Sequence, residues 1–170
     1  MRQQRGFTLI ELMATLGVMA VVASFAVPTW QSFMARQQVD NDVRALTRSL
    51  AMARSEAVSQ GDDVSVCPYA ITATESNPSD CSEDDDWQHG WVVYRGNGSA
   101  VPADARIWVK DATVSSLILS SRSRVFFSQR GTARGSNNTW TFCGNGYVRE
   151  VLLAPSGRVR VRDGTEADCT

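Results

Sequence analysis

From Phe7 to Val27 the chain runs 21 residues with a single charged side chain, Glu11. At about 1.5 Å per helical residue, such a run reaches across a hydrocarbon core of ~30 Å, so residues 7–28 read as a membrane helix. An ionisable group inside such a helix is expensive and usually has a function. Arg2 and Arg5 flank the run on its N-terminal side. That bias holds the N-terminus in the cytoplasm and places everything after Pro28 across the membrane. The preceding MRQQRG, residues 1–6, is too short for the n-region of an ordinary secretory signal, and no small-residue cleavage pattern follows the apolar run.

Beyond Pro28 the apolar positions Val39, Val43, Leu46, Leu50, Ala53 and Ala57 recur at helical spacing and define one buried face, until Gly61 ends the pattern. The expectation is one helix from about Thr8 to Gln60, bent at Pro28, with an amphipathic second half over residues 29–61. Residues 62–170 read as a β-rich head without internal repeats. DVSVC, GWVVY, RIWV, TVSSLIL, RVFFS, NTWTFC, YVREVLL and RVRVR are rich in β-branched and aromatic residues, and GNGS, RGSNN, GNG and PSG separate them. The fold class is therefore α+β, a long helix packed on an antiparallel β-sheet. The polar stretch from Tyr69 to Asp86 reads as a loop.

Four cysteines, Cys67, Cys81, Cys143 and Cys169, suit an oxidising compartment and allow three pairings, of which Cys67 with Cys81 and Cys143 with Cys169 is preferred. No C-x-x-C pair exists and His89 is the single histidine, so a zinc site is not expected. SEDDD lacks the alternating geometry of a calcium loop, and no G-x-S-x-G elbow accompanies His89. Neither an enzyme nor a cofactor is expected. The net charge of −1 hides an acidic middle third and a C-terminal third whose cations are all arginine.

GFTLIEL followed by an apolar run, with Pro28 at the twenty-second position from Phe7, closely resembles the N-terminal signal of type IV pilins and type II secretion pseudopilins. ARSEAVSQG, VSVCP, WQHGWVVY and a late GRV together resemble the GspH/FimT group of minor pilins and pseudopilins. The resemblance implies the type IV pilin fold. It also implies cleavage between Gly6 and Phe7 by a prepilin peptidase with methylation of the new amino terminus, and pairing of Glu11 with a neighbouring subunit's amino terminus in a filament. Other major and minor pilins would be partners. The precursor would sit in the bacterial inner membrane with a periplasmic head, and the assembled protein in a pilus at the cell surface. An acidic insert around SDCSEDDDW departs from the pattern.

The tail GRVRVR, Gly157 to Arg162, alternates valine and arginine. In a strand Val159 and Val161 would enter the core, while Arg158, Arg160 and Arg162 would line the other face about 6.8 Å apart as a phosphate-binding edge. In FimT-like proteins a Gly-Arg-x-Arg pattern near the C-terminus is associated with DNA binding during transformation, and Gly157, Arg158, Val159 and Arg160 match it. Pairing of these arginines with Asp163, Glu166 and Asp168 is the competing expectation. Arg130 and Arg134, in SQRGTARGSNN, would add a second basic lobe if their loop lay beside the tail. A minor pilin that binds DNA, mostly through its phosphates, is the leading functional expectation; a structural pilin or H-type pseudopilin is the alternative. Mass spectrometry of the mature chain should find Phe7 at its amino terminus; an intact Met1 would contradict the expected processing.

Overall fold

The spacing that runs from Val39 to Ala57 is matched by burial: all six apolar positions are inaccessible or nearly so. They belong to one helix, α1 (Leu9–Gln60). A computed structural model describes residues 8–69, 80–82, 85–111 and 116–169, with the side chains of residues 25–29 outside the described set. The expected processing residues Gly6 and Phe7 therefore lie outside the described residues, as do the side chain of Pro28, where a bend was expected, and much of the acidic loop. Residues 1–34 and 35–170 form two compact units.

In the first unit, Thr8 caps α1. The Glu11 N–H donates to the Thr8 carbonyl at 3.1 Å and lies 3.4 Å from its Oγ1, and the Glu11 carboxylate sits in the first turn, where the helix dipole favours negative charge. Leu9, Ile10, Met13, Leu16, Met19 and Val22 all stand exposed. Among the described residues, however, no helix is long and apolar enough to cross a membrane. The membrane segment expected at residues 7–28 is thus not found among them.

Among the described residues, the second unit contains eight strands: β1 (Val64–Pro68), β2 (Gly90–Arg95), β3 (Arg106–Asp111), β4 (Leu117–Ser120), β5 (Val125–Phe127), β6 (Asn138–Gly144), β7 (Tyr147–Leu153) and β8 (Val159–Asp163). They form two antiparallel sheets, ordered β3-β2-β1-β5 and β4-β6-β7-β8. The chain passes to the second sheet at β4 and returns to the first at β5, a crossover that local patterning does not encode.

One core joins the helix to both sheets. Leu46 and Leu50 cluster with Val64, Val93 and Phe127 from the first sheet and with Trp140, Phe142 and Val151 from the second. Trp87 bridges them, edge-on to Trp140 at 5.2 Å and tilted against Trp91 at 6.3 Å. Trp91 also donates its Nε1–H to Ser49 Oγ at 2.9 Å, so the buried indole and hydroxyl satisfy each other. These indoles are core residues rather than stacking platforms. A smaller cluster, Cys67, Tyr69, Val92, Tyr94 and Val101, fills the other face of the first sheet. With both faces covered, every residue of β1 is buried.

Disulfides join Cys67 to Cys81 and Cys143 to Cys169. The second spans 26 residues and ties β6 to a short 3-10 turn, Glu166–Cys169. Such a closure is worth about 3 kcal/mol in the chain-entropy model.

The turn from β7 to β8 depends on Gly157. Its N–H donates to the Ala154 carbonyl at 2.8 Å, and its φ of 77° suits a left-handed residue following a type I turn with Pro155 in second position. A Cβ there would stand 2.1 Å from the Gly131 carbonyl oxygen. Gly61 also has a positive φ, 68°, but open space around it. Gly61→Ala should cost only left-handed strain, about 1 kcal/mol, whereas Gly157→Ala should cost at least about 2 kcal/mol because the backbone contact must also open. Urea denaturation of the two variants checks this, and equal costs would contradict the close packing.

Candidate nucleic-acid interface

The Gly131–Gly157 contact places the 128–135 loop against the turn that launches β8. The Ala133 N–H donates to the Pro155 carbonyl at 3.0 Å, and Arg54 on α1 donates from Nη1 to the Gly157 carbonyl at 3.1 Å. The loop carrying Arg130 and Arg134 therefore lies beside the tail. The two arginines themselves line a separate cleft with Asp63 and Phe126.

Among the described residues β8 is an edge strand, hydrogen-bonded only to β7. Its register sets Val159 opposite Leu153, Arg160 opposite Leu152, Val161 opposite Val151 and Arg162 opposite Glu150. Val159 packs on the main core as expected. Val161 does not enter it: the residue is 38% exposed, because the strand runs along the border of the sheet where the core ends. Alternation set the face correctly but not the depth.

The three tail arginines are also unequal. Arg162 donates from Nε to Glu150 Oε2, and the Glu150 side chain is only 7% exposed while that of Arg162 remains 62% exposed. The hydrogen bond to Glu150 and its charge push the Arg162 guanidinium above its usual range. Arg162 is thus committed to neutralising a buried carboxylate. Arg158 and Arg160 form no ion pair among the described residues, and together they line an open groove of about 540 Å³ with Asn137, Thr139, Pro155 and Ser156.

Of the three acids expected to compete for them, Asp163 and Asp168 are otherwise engaged, and Glu166 forms no ion pair with either arginine among the described residues. Asp163 binds Arg149 at 2.7 Å, and Asp168 accepts from the Thr165 N–H and Oγ1 at 2.7 and 2.8 Å. Those bonds from Thr165, helped by the charge of Arg162, hold the Asp168 carboxyl below its ordinary range. His89 is engaged with Asp86 at 2.9 Å, and among the described residues no group of His, Cys, Asp or Glu could hold a metal ion.

Sequence reasoning passed over two of these features. T-L-I-E at residues 8–11 is a capping pattern that explains the start of α1. The PSG turn fixes the hairpin register, so Glu150, the one acid in YVREVLL, could have been placed opposite Arg162.

The chain matches the family described as type II transport protein GspH over residues 42–157 and the prokaryotic N-terminal methylation motif over residues 1–27. The chain belongs to the GspH family. Two solved structures share the fold of this GspH-family protein. The type IV minor pilin FimU of Pseudomonas aeruginosa has a TM-score of 0.59 at 22% identity, covering 76% of this chain and 92% of FimU. The minor pseudopilin EpsH of the type 2 secretion system of Vibrio cholerae has a TM-score of 0.51 at 12% identity, covering 74% of this chain and 97% of EpsH. A Pseudomonas aeruginosa fimbrial protein is 36% identical over 88 residues, 48% of this chain and 56% of that protein. The chain thus spans about half the length of the curated relatives it matches. The family match ends at Gly157, so the tail arginines lie beyond it.

Arg162→Gln should lower the thermal midpoint, since it leaves Glu150 buried without its partner, while Arg160→Gln should leave the midpoint unchanged. Asp168 adds a pH signature. Its lowered folded value means that its stabilisation is full above about pH 4 and is lost as the pH falls through that folded value, whereas the raised Arg162 stays charged throughout. Protection of the Thr165 amide, measured relative to its intrinsic exchange rate at each pH, should therefore fall in acid in the wild type and be low already at neutral pH in Asp168→Asn. Equal midpoints for the two arginine variants would contradict the distinction between them.

Proposed function

We propose that this GspH-family protein is a minor type IV pilin that presents Arg158 and Arg160 to the phosphate backbone of DNA during uptake for transformation. The observation that carries the reading is the contrast within the tail: Arg158, just before β8, and Arg160 are exposed in one groove with no ion pair among the described residues, while Arg162 is tied to Glu150. A solvated face gains nothing from leaving two adjacent guanidiniums without the carboxylates nearby. A phosphate-binding edge needs them so.

In this reading a prepilin peptidase removes residues 1–6, the exposed apolar part of α1 holds the precursor in the inner membrane and later packs among other pilins, and Glu11 guides docking. The head faces the periplasm, then the outside of the pilus. Contacts to phosphate carry no base information, so binding is largely sequence-independent. The protein acts as an adaptor, with no catalytic role.

The test uses the full chain in non-ionic detergent, titrated against a short mixed-sequence DNA duplex at several salt concentrations. Because Arg162 is committed elsewhere, Arg158→Gln with Arg160→Gln should lower the steepness of the salt dependence by about 1.8, that is about 0.9 for each lost phosphate contact. Folding should be unaffected. In cells the same pair should lose DNA uptake and keep pili. Unchanged DNA binding with pili missing would instead make the protein a structural subunit.

A further inference from the structure

The connection between β4 and β5, residues 121–124, reads Ser-Arg-Ser-Arg. Its arginines form no ion pair among the described residues. The backbone around Arg122 is nonetheless firmly held. Its carbonyl accepts the Nε1–H of the fully buried Trp87 at 3.0 Å and the hydroxyl of Ser120 at 2.9 Å, so the segment is anchored on the core while the Arg122 side chain stays exposed. Arg122 and Arg124 line an open cleft of about 450 Å³ with Ser82, Asp85 and Ser99.

This cleft adjoins the groove of Arg158 and Arg160, because Ser121 lines both. The strip between them is rigid. Asn138, itself buried, donates from Nδ2 to Ser120 Oγ at 2.8 Å and accepts from Ser121 Oγ at 2.7 Å, and it also lines the second groove. Four guanidiniums with no ion pair among the described residues thus fall in two open clefts on either side of one hydrogen-bonded ridge. An enclosed site would suit a single small anion. Two shallow clefts in succession, edged by hydroxyl and amide groups, suit anions repeated along a chain.

We infer that the two clefts form one track for a nucleic-acid backbone, in which Arg122 and Arg124 contact phosphates in addition to those held by Arg158 and Arg160. The inference rests on the proposed DNA-binding function and extends its surface across the ridge at Ser121. Asp85, exposed in the first cleft, has the wrong charge for this ligand and limits the affinity.

Salt-dependent titrations of the full chain in non-ionic detergent with a short mixed-sequence duplex test it. Arg122→Gln with Arg124→Gln should lower the salt slope by about 1.8 and weaken binding on the order of tenfold at low salt. Asp85→Asn should tighten binding at low salt, a gain that misfolding cannot produce. If Arg158→Gln with Arg160→Gln weakens binding while the Arg122 and Arg124 pair changes neither slope nor affinity, the track is refuted and the tail site stands. If the tail pair changes nothing while the Arg122 and Arg124 pair does, the tail reading fails and with it the joined track. If the Arg122 and Arg124 variant does not fold, Asp85→Asn decides, and unchanged affinity overturns the inference.

Discussion

The head is organised by one constraint: the apolar face of α1 from Val39 to Ala57 can be removed from water only by covering it from two sides. Fully burying a valine or leucine side chain is worth about 1.5–3 kcal/mol, so this face contributes on the order of 10 kcal/mol before the entropy of ordering is charged against it. Both sheets contribute to that cover, and the Trp87–Trp91–Trp140 cluster fills the space between them. Ser49 gives the interface a polar register through the Trp91 indole. With its core-facing residues engaged in this way, the second sheet is left with β8 at its edge.

That edge is where a charge pattern can be displayed without disturbing the core. The two close-packed glycines, Gly131 and Gly157, set the turn, and the turn sets which residues of β8 oppose which residues of β7. Register then separates Arg160, opposite Leu152, from Arg162, opposite Glu150, while Arg158 stands just before the strand. Arg162 meets Glu150, whose burial makes a partner obligatory. Among the described residues, Arg158 and Arg160 pair with no carboxylate. Arg54, reaching from α1 to the Gly157 carbonyl, ties this arrangement to the helix.

Much of this was legible in the chain. The helical spacing gave the buried face residue by residue, and β-branched runs between turn residues located the strands, because both signals are local. The division into two sheets was not legible, since β4 and β5 are neighbours in sequence and the choice of partner is made by the core across long separations. Val161 was misplaced because alternation reports a face and not the extent of the core beneath it. The separate fate of Arg162 needed the hairpin register, which the PSG turn contains but composition does not. Arg122 falls between the runs TVSSLIL and RVFFS and Arg124 opens the second, so nothing local marks either as a neighbour of the tail; Asn138 holds the adjoining Ser120 and Ser121 there.

The central claim is that Arg158 and Arg160 are available to phosphates and Arg162 is not. The side-chain Nε–H resonances of these arginines report it directly during titration of the full chain with duplex DNA. The Arg158 and Arg160 signals should shift as complex forms, while the Arg162 signal should stay at its Glu150-bonded position. A bound complex in which Arg158 and Arg160 remain unmoved, or in which Arg162 leaves Glu150 to join the DNA, would contradict it.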